Sequence, residues 1–396
     1  MKMFPLVLAG VLAAIVYVTW HLWRIAPGGW PVKLTVAGLF VLWMVLAFAS
    51  LGFSEKVPVR AAVLMQEVGM PWLIAFLYLL LVFLVADIFT ICRILPKGYM
   101  QSSPIGLGVA LGVVAVLLAS GNIHYRHKHR EDLTIQTAKP LEQPLTVVLA
   151  SDLHVGYTNR RAELARWIDL INAAEPDLVL FGGDVLDMRL RPVVEGGYAE
   201  EFRRLKAPAY AVVGNHEFYG DIIGAERFLA DAGITLLRDS TALFEGIRII
   251  GRDDLSSRLR RPLAALMGAS PAAGVAGQEQ EVGKEDGWET DQTSCEEAAG
   301  RDQAFTILLD HQPVELEEAE AAGIDFQFSG HTHRGQVWPL SWLTDAIFEK
   351  SWGHHSRGAT RYYISSGLGI WGPKIRLGTR SEYLVLKLIP TATPQE

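Results

Sequence analysis

LTVVLASDLH, residues 145–154, runs from an apolar, β-prone segment straight into the polar end Ser151-Asp152-Leu153-His154. A short apolar run closed by turn-forming residues has the length and pattern of a buried strand. The same construction recurs four times, in LVLFGGDVLD (178–187), YAVVGNHE (210–217), FTILLDHQP (305–313) and FQFSGHTH (326–333). Between these runs, residues 161–174 place Leu164, Trp167, Ile168 and Ile171 at helical spacing, and a second helix fits 200–205. Further strands fit 247–251, 362–365 and 383–388. Alternating strands and helices predict an α/β layered fold, and the later clustering of strands predicts a mixed sheet or a sandwich of two. Ligand sites of open α/β sheets lie beyond the carboxyl ends of the strands, so these five loops are expected to converge.

Taken singly, such fragments are commonplace turn and capping sequences. In this order, each after an apolar strand, they resemble the calcineurin-like metallophosphoesterase family. Its signature is Asp-x-His, Gly-Asp-x-x-Asp, Gly-Asn-His-Glu, a lone His and Gly-His-x-His, and every element is present between residues 145 and 390. The resemblance implies a metallophosphoesterase-type α/β sandwich domain holding two divalent ions. Asp152, His154 and His333 are then expected on one ion, Asn215, His311 and His331 on the other, and Asp184 between both. It also implies that His216 gives a proton to the leaving oxygen or stabilises the charge growing there. An imidazole suits that task because its pKa lies near neutrality. Asp187 and Glu217 read as acids that orient the ligands. Mixed imidazole and carboxylate donors suit Mn, Fe, Zn or similar ions. Two such ions about 3.5–4 Å apart clamp a phosphoryl group and activate water.

Downstream of His333, residues 334–348 form an apolar loop bearing Trp338 and Trp342, suited either to core packing or to a patch that dips among lipid headgroups. The glycine-rich tail 365–373 resembles the membrane-associated subset of the family, close to bacterial lipid-processing phosphoesterases. Lys374, Arg376 and Arg380 are candidates to meet a substrate phosphate or to be solvated surface charge. The adjacent His354 and His355 are expected to point apart and to hold no metal. Residues 256–303, rich in Ala, Gly and Glu, read as a flexible insertion.

The first third of the chain is of another kind. Half of all 396 residues are apolar, and this third holds four long apolar runs near 3–23, 34–53, 71–95 and 104–123. Each approaches the roughly 20 residues needed to cross a bilayer. Trp20, Trp23, Trp30, Trp72 and Tyr99 fall near their ends, as interfacial aromatics do. Residues 1–130 hold ten Lys/Arg against three Asp/Glu; the remainder holds 26 against 40. An acidic globular half argues against a nucleic-acid partner. Lys2, Lys56, Arg60, Arg126, Lys128 and Arg130 on one side outnumber Arg24, Lys33, Arg93 and Lys97 on the other, favouring a cytoplasmic C-terminal domain in a multi-pass cell-membrane protein. Asp87, alone among acids well inside a span, either pairs with Arg93 near an interface or marks a functional site. The two cysteines, Cys92 and Cys295, make no disulfide framework.

The expected organisation is a transmembrane region at 1–125, a linker at 126–144 and a phosphoesterase domain at 145–390. The expected activity is a binuclear-metal phosphohydrolase, a phosphodiesterase on a membrane lipid or amphiphilic phosphorylated substrate. The competing expectations are a membrane-tethered phosphatase for soluble nucleotides or phosphoproteins, a non-catalytic metal-binding sensor, and a transport role for the four spans.

Overall fold

The computed structural model describes residues 4–268 and 304–391, which form two compact units. The first contains four helices long and apolar enough to cross a membrane: α1 (Phe4–Ile25), α2 (Trp30–Phe53), α3 (Val59–Ile91) and α4 (Pro104–Arg126). Val18, Leu22, Phe40, Met44, Tyr78, Leu79, Phe83, Ala110 and Val114 bury one another inside the bundle. Outside it, Val16, Leu42, Ile88 and Val116 are more than half exposed. Such a coat is unfavourable in water and neutral in lipid, whose tails are as apolar as leucine. α3 begins twelve residues earlier than the apolar run suggested and carries Pro71 inside it. Asp87 finds its partners on α1 rather than in Arg93: its Oδ2 accepts from the Tyr17 hydroxyl at 2.6 Å and lies 3.1 Å from His21 Nε2. Trp371–Leu377, a short piece of the C-terminal half, also belongs to this unit. There the Arg376 amide donates to the Gly121 carbonyl at 2.9 Å, and Asn122 Nδ2 donates to the Lys374 carbonyl at 2.8 Å.

The second unit is a sandwich of two six-stranded sheets. Its strands are β1 (Lys128–Thr137), β2 (Leu145–Ala150), β3 (Leu178–Phe181), β4 (Ala209–Ala211), β5 (Thr235–Leu236), β6 (Ser240–Phe244), β7 (Ile247–Gly251), β8 (Phe305–Leu309), β9 (Phe326–Ser329), β10 (Gly353–Arg357), β11 (Thr360–Ile364) and β12 (Ser381–Pro390). The sheet orders are β1-β12-β2-β3-β4-β5 and β10-β11-β9-β8-β7-β6. Alternation explains the layers. Val147, Leu149, Leu178 and Leu180 from one sheet meet Ile249, Ile307, Leu309 and Phe328 from the other. The opposite face of the second sheet, with Ile250, Leu308 and Ile364, is covered by Leu263, Leu266, Leu316 and Ala319. Strands covered on both faces have no polar side to show, which is why they read as unbroken apolar runs.

Two differences from the expected organisation have a physical origin. The linker at 126–144 contributes β1, an edge strand paired in parallel with β12 along its whole length. Its outward residues are charged, as edge strands tend to be, so only Leu133 and Ile135 reveal it by packing on the core. Of the expected insertion at 256–303, residues 256–268 are ordered and include a helix at Leu263–Met267; residues 269–303, with Cys295, lie outside the described residues. Arg260 forks onto both oxygens of Asp310, at 3.0 and 2.8 Å.

Candidate metal centre

The site gathers at the carboxyl ends of β2, β3, β4, β8 and β9. Asp152 and His154 follow β2, Asp184 follows β3, Asn215 and His216 follow β4, His311 follows β8, and His331 and His333 follow β9. Three clusters result: Asp152 with His154 and His333, Asp184 with His311 and His331, and Asp184 with His154 and His216. Asn215 joins the second through its Oδ1, 2.8 Å from His331 Nδ1. Asp184 belongs to two of them because its Oδ2 lies 3.2 Å from His311 Nε2 and 3.6 Å from His154 Nε2.

The backbone carries strain here. Asp152 (φ 54°), His154 (43°), Asp184 (50°), His331 (68°) and His333 (46°) all occupy the left-handed region. Each costs about 1 kcal/mol or more, a burden that clusters at functional sites and is held by surrounding bonds. Those bonds are present. The His154 amide donates to the Asp184 carbonyl at 2.9 Å, and the Asn159 amide group donates to the carbonyls of Leu153, His154 and Ile370 at 2.9, 3.1 and 2.8 Å. Glu217 is buried and accepts from the Leu186 and Gly214 amides at 2.9 and 2.8 Å, joining the β3 and β4 loops. Burial, then the charge of Asp184, pushes its carboxyl up to about 8. Neither Asn159 nor the left-handed backbone was legible in sequence, where Asn159 resembles any turn residue.

Do these residues fit divalent ions? The Gly182 carbonyl can only accept, so His311 Nδ1, 2.8 Å away, carries the proton. A neutral His311 then turns the lone pair of Nε2 toward Asp184 Oδ2, and that nitrogen has no hydrogen-bond partner. Facing a carboxylate oxygen, that nitrogen takes up either a proton or a metal cation. Burial by itself lowers the His311 pKa, but the Asp184 charge overrides it and leaves it well above the usual value, so the site calls for positive charge. In the other cluster His154 Nε2 and His333 Nε2 stand 3.1 Å apart, with Asp152 Oδ1 3.9 and 3.5 Å from them. Burial, then His216, pushes the His154 imidazole down to about 3, which keeps it in the neutral form a metal takes. The donor set fits two ions.

Residues 145–335 match the family model described as calcineurin-like phosphoesterase. The C-terminal half carries a calcineurin-like phosphoesterase domain. An uncharacterized metallophosphoesterase of Helicobacter pylori (strain J99) is 30% identical over 254 residues, covering 63% of this chain and 61% of that protein. A transmembrane protein with metallophosphoesterase domain of Danio rerio is 28% identical over 295 residues, covering 70% and 62%. The chain thus spans about three fifths of the length of these relatives.

Within the phosphoesterase domain His216 Nδ1 lies 3.2 Å from Asp187 Oδ1, and its ring meets the His154 ring edge-on at 4.4 Å. Burial lowers the His216 pKa, but the Asp187 hydrogen bond and the Asp184 and Asp187 charges outweigh it and leave it raised. Lys374 and Arg376 lie in the helical unit, and Arg380 is paired with Glu131 and Glu382. His355 bonds Glu349 at 3.0 Å, and His354 packs on Tyr363.

Two glycines of the phosphoesterase domain bear on its stability as a cradle. A Cβ at Gly330 would fall against the Asp152 carboxylate and 2.6 Å from Ser151 Oγ; one at Gly214 would fall against the Asp184 carboxylate and 2.6 Å from its amide nitrogen. Gly330→Ala is therefore expected to displace Asp152, lowering bound metal per chain and cutting hydrolysis roughly 10–100-fold, as losses of groups that orient ligands do. Metal analysis beside far-UV circular dichroism checks this; a full metal complement in the variant would mean that Asp152 is not needed where it stands.

Proposed function

We propose that this chain is a membrane-bound, binuclear-metal phosphohydrolase, a phosphodiesterase for a membrane lipid or other amphiphilic phosphorylated substrate. The observation that carries the hydrolase reading is the position of Asp184 Oδ2, within 3.6 Å of histidines from both clusters. Asp152, His154 and His333 would hold one ion, Asn215, His311 and His331 the other, and Asp184 would serve both. When bound, the pair supplies Lewis-acid clamping of the phosphoryl oxygens and an activated water. His216 does the rest of the proton work: Asp187 accepts from its Nδ1–H and favours the imidazolium, whose second proton, on Nε2, is the one given to the leaving oxygen.

The lipid half of the proposal is supported by the helix Leu340–Ile347, which begins seven positions after His333 and exposes Trp342, Leu343 and Ile347 at 65%, 58% and 64%. A short helix with such a face suits the headgroup boundary. The four apolar helices supply the bilayer, and the charges of the short loops favour a cytoplasmic catalytic domain.

The test uses the full chain in mixed micelles, stripped with EDTA and reloaded with Mn²⁺. Turnover of bis-p-nitrophenyl phosphate should vanish with EDTA and return with metal. Phosphatidylglycerol should be cleaved with a higher kcat/KM than glycerophosphoglycerol, its water-soluble counterpart, and a Trp342→Ala, Leu343→Ala double variant should lower that ratio about tenfold. Equal turnover of the two would favour a tethered phosphatase for soluble substrates; a protein that holds two metals and hydrolyses nothing would favour a sensor.

A further inference from the structure

Arg334 follows the ligand His333 directly and shares its left-handed backbone, with φ 49°. Together with Phe348, Lys350, Trp352, Asp345 and Glu349 it lines a cavity of about 400 Å³. This cavity borders the metal cluster. The Phe348 ring lies 6.0 Å from the His331 ring, and Thr332, between the two histidines, donates its hydroxyl to the Ser351 carbonyl at 2.6 Å.

The cavity's cations and anions are unevenly committed. Glu349 accepts from Arg357 at 2.8 Å and from His355 at 3.0 Å, and Asp345 accepts from the Ser351 hydroxyl. Arg334 and Lys350 are both half-buried, yet among the described residues neither side chain has an ion pair or a hydrogen bond. The Arg334 guanidinium instead stacks on Trp352, 4.3 Å from the ring centroid. Trp352 is a fixed platform, since its Nε1 donates to Glu382 Oε1 at 2.9 Å and Arg380 stacks on the same ring at 4.9 Å. Stacking orients a guanidinium while leaving its N–H edges free to fork onto two oxygens. Half-buried charges lacking a counter-charge are costly unless something supplies it.

We propose that this cavity takes a second anionic group of the substrate, a phosphate or carboxylate separate from the scissile phosphorus, with Arg334 as the bidentate donor and Lys350 as the second cation. The inference rests on the phosphohydrolase reading and narrows its substrate class to phosphoesters bearing two anionic groups. The second group can belong to a lipid headgroup or to a soluble bisphosphate.

The full chain, loaded with Mn²⁺ in mixed micelles, would be assayed on two substrate pairs. One pair is the p-nitrophenyl ester of thymidine 5′-phosphate without and with a 3′-phosphate, followed by p-nitrophenolate release. The other is phosphatidylinositol and phosphatidylinositol 4-phosphate, followed by headgroup release. In each pair the ratio of kcat/KM, doubly over singly charged, is read. The wild type should favour the doubly charged member of at least one pair. Arg334→Ala should lower that ratio about tenfold, chiefly through KM, as loss of one good charge-assisted pair does. Lys350→Ala should lower it less, and Arg334→Lys should keep part of it. A preference confined to the lipid pair assigns the anion to a headgroup; one confined to the nucleotide pair assigns it to a soluble bisphosphate. No preference in the wild type, or ratios unmoved by Arg334→Ala, would overturn the inference while metal-dependent turnover left the phosphohydrolase reading intact. Turnover of none of the four esters by the wild type would remove that reading and the inference together.

Discussion

Asp184→Asn in the full-length chain is expected to lower metal-dependent phosphoester hydrolysis by on the order of a thousandfold or more, with the fold retained. Asparagine keeps the shape of the residue and one oxygen, so it can still accept the His216 amide that Asp184 Oδ1 holds at 2.9 Å. It cannot keep a second anionic oxygen facing both His311 and His154. An amide nitrogen there would point hydrogens at the place where the proposed ions would meet, and one negative charge would be gone from a site that already draws positive charge onto His311. Metal analysis should therefore find fewer than two ions per chain, with the melting temperature of the apo form close to wild type. Wild-type activity with both ions retained would sink the assignment of Asp184 as the shared ligand.

His216→Ala should act on a different step. General acid catalysis is worth about 10²–10⁴ in rate, and it matters most when the leaving oxygen is a strong base. The variant should hold its metals, lose kcat by roughly that factor for an alkyl phosphodiester, and lose far less for a p-nitrophenyl ester, whose leaving group needs no proton. Asp187, 3.2 Å from His216 Nδ1, stands where it can orient the ring. Asp187→Asn should show the same leaving-group dependence with a smaller loss, about 10–100-fold. Equal losses for both leaving groups would mean that His216 serves the cluster through its edge-on contact with His154 instead.

Much of this was legible because it repeats. Five apolar strands each ending in polar residues announce where side chains meet, and strand ends are where layered α/β folds place their ligands. The residues taken from those ends, Asp152, His154, Asp184, His216, His311, His331 and His333, fall in three overlapping groups that share His154 and Asp184, and Asn215 joins them through His331. The four apolar helices were equally plain. What escaped reading was whatever depends on a partner far along the chain. Asp87, for which Arg93 nearby in sequence was one of two readings, has its partners on another helix, Tyr17 and His21. The charged strand β1 passed for a linker because an edge strand shows its polar side to water.

By itself, then, the sequence determined the two-part architecture, eight of the twelve strands that build the sandwich, and the residue types that gather beyond their ends. Periodicity and apolar run length are local properties, and burial imposes them wherever an element packs. Tertiary structure alone decided which oxygen of Asp184 faces two sets of histidines, which residues bear left-handed backbone, and which cations remain uncommitted. Arg380 and Arg334 are both arginines a short way from the ligands, yet one is spent on Glu131 and Glu382 while the other stacks on Trp352 beside an open cavity. That difference arises from long-range charge pairing, which leaves no periodic trace in the chain.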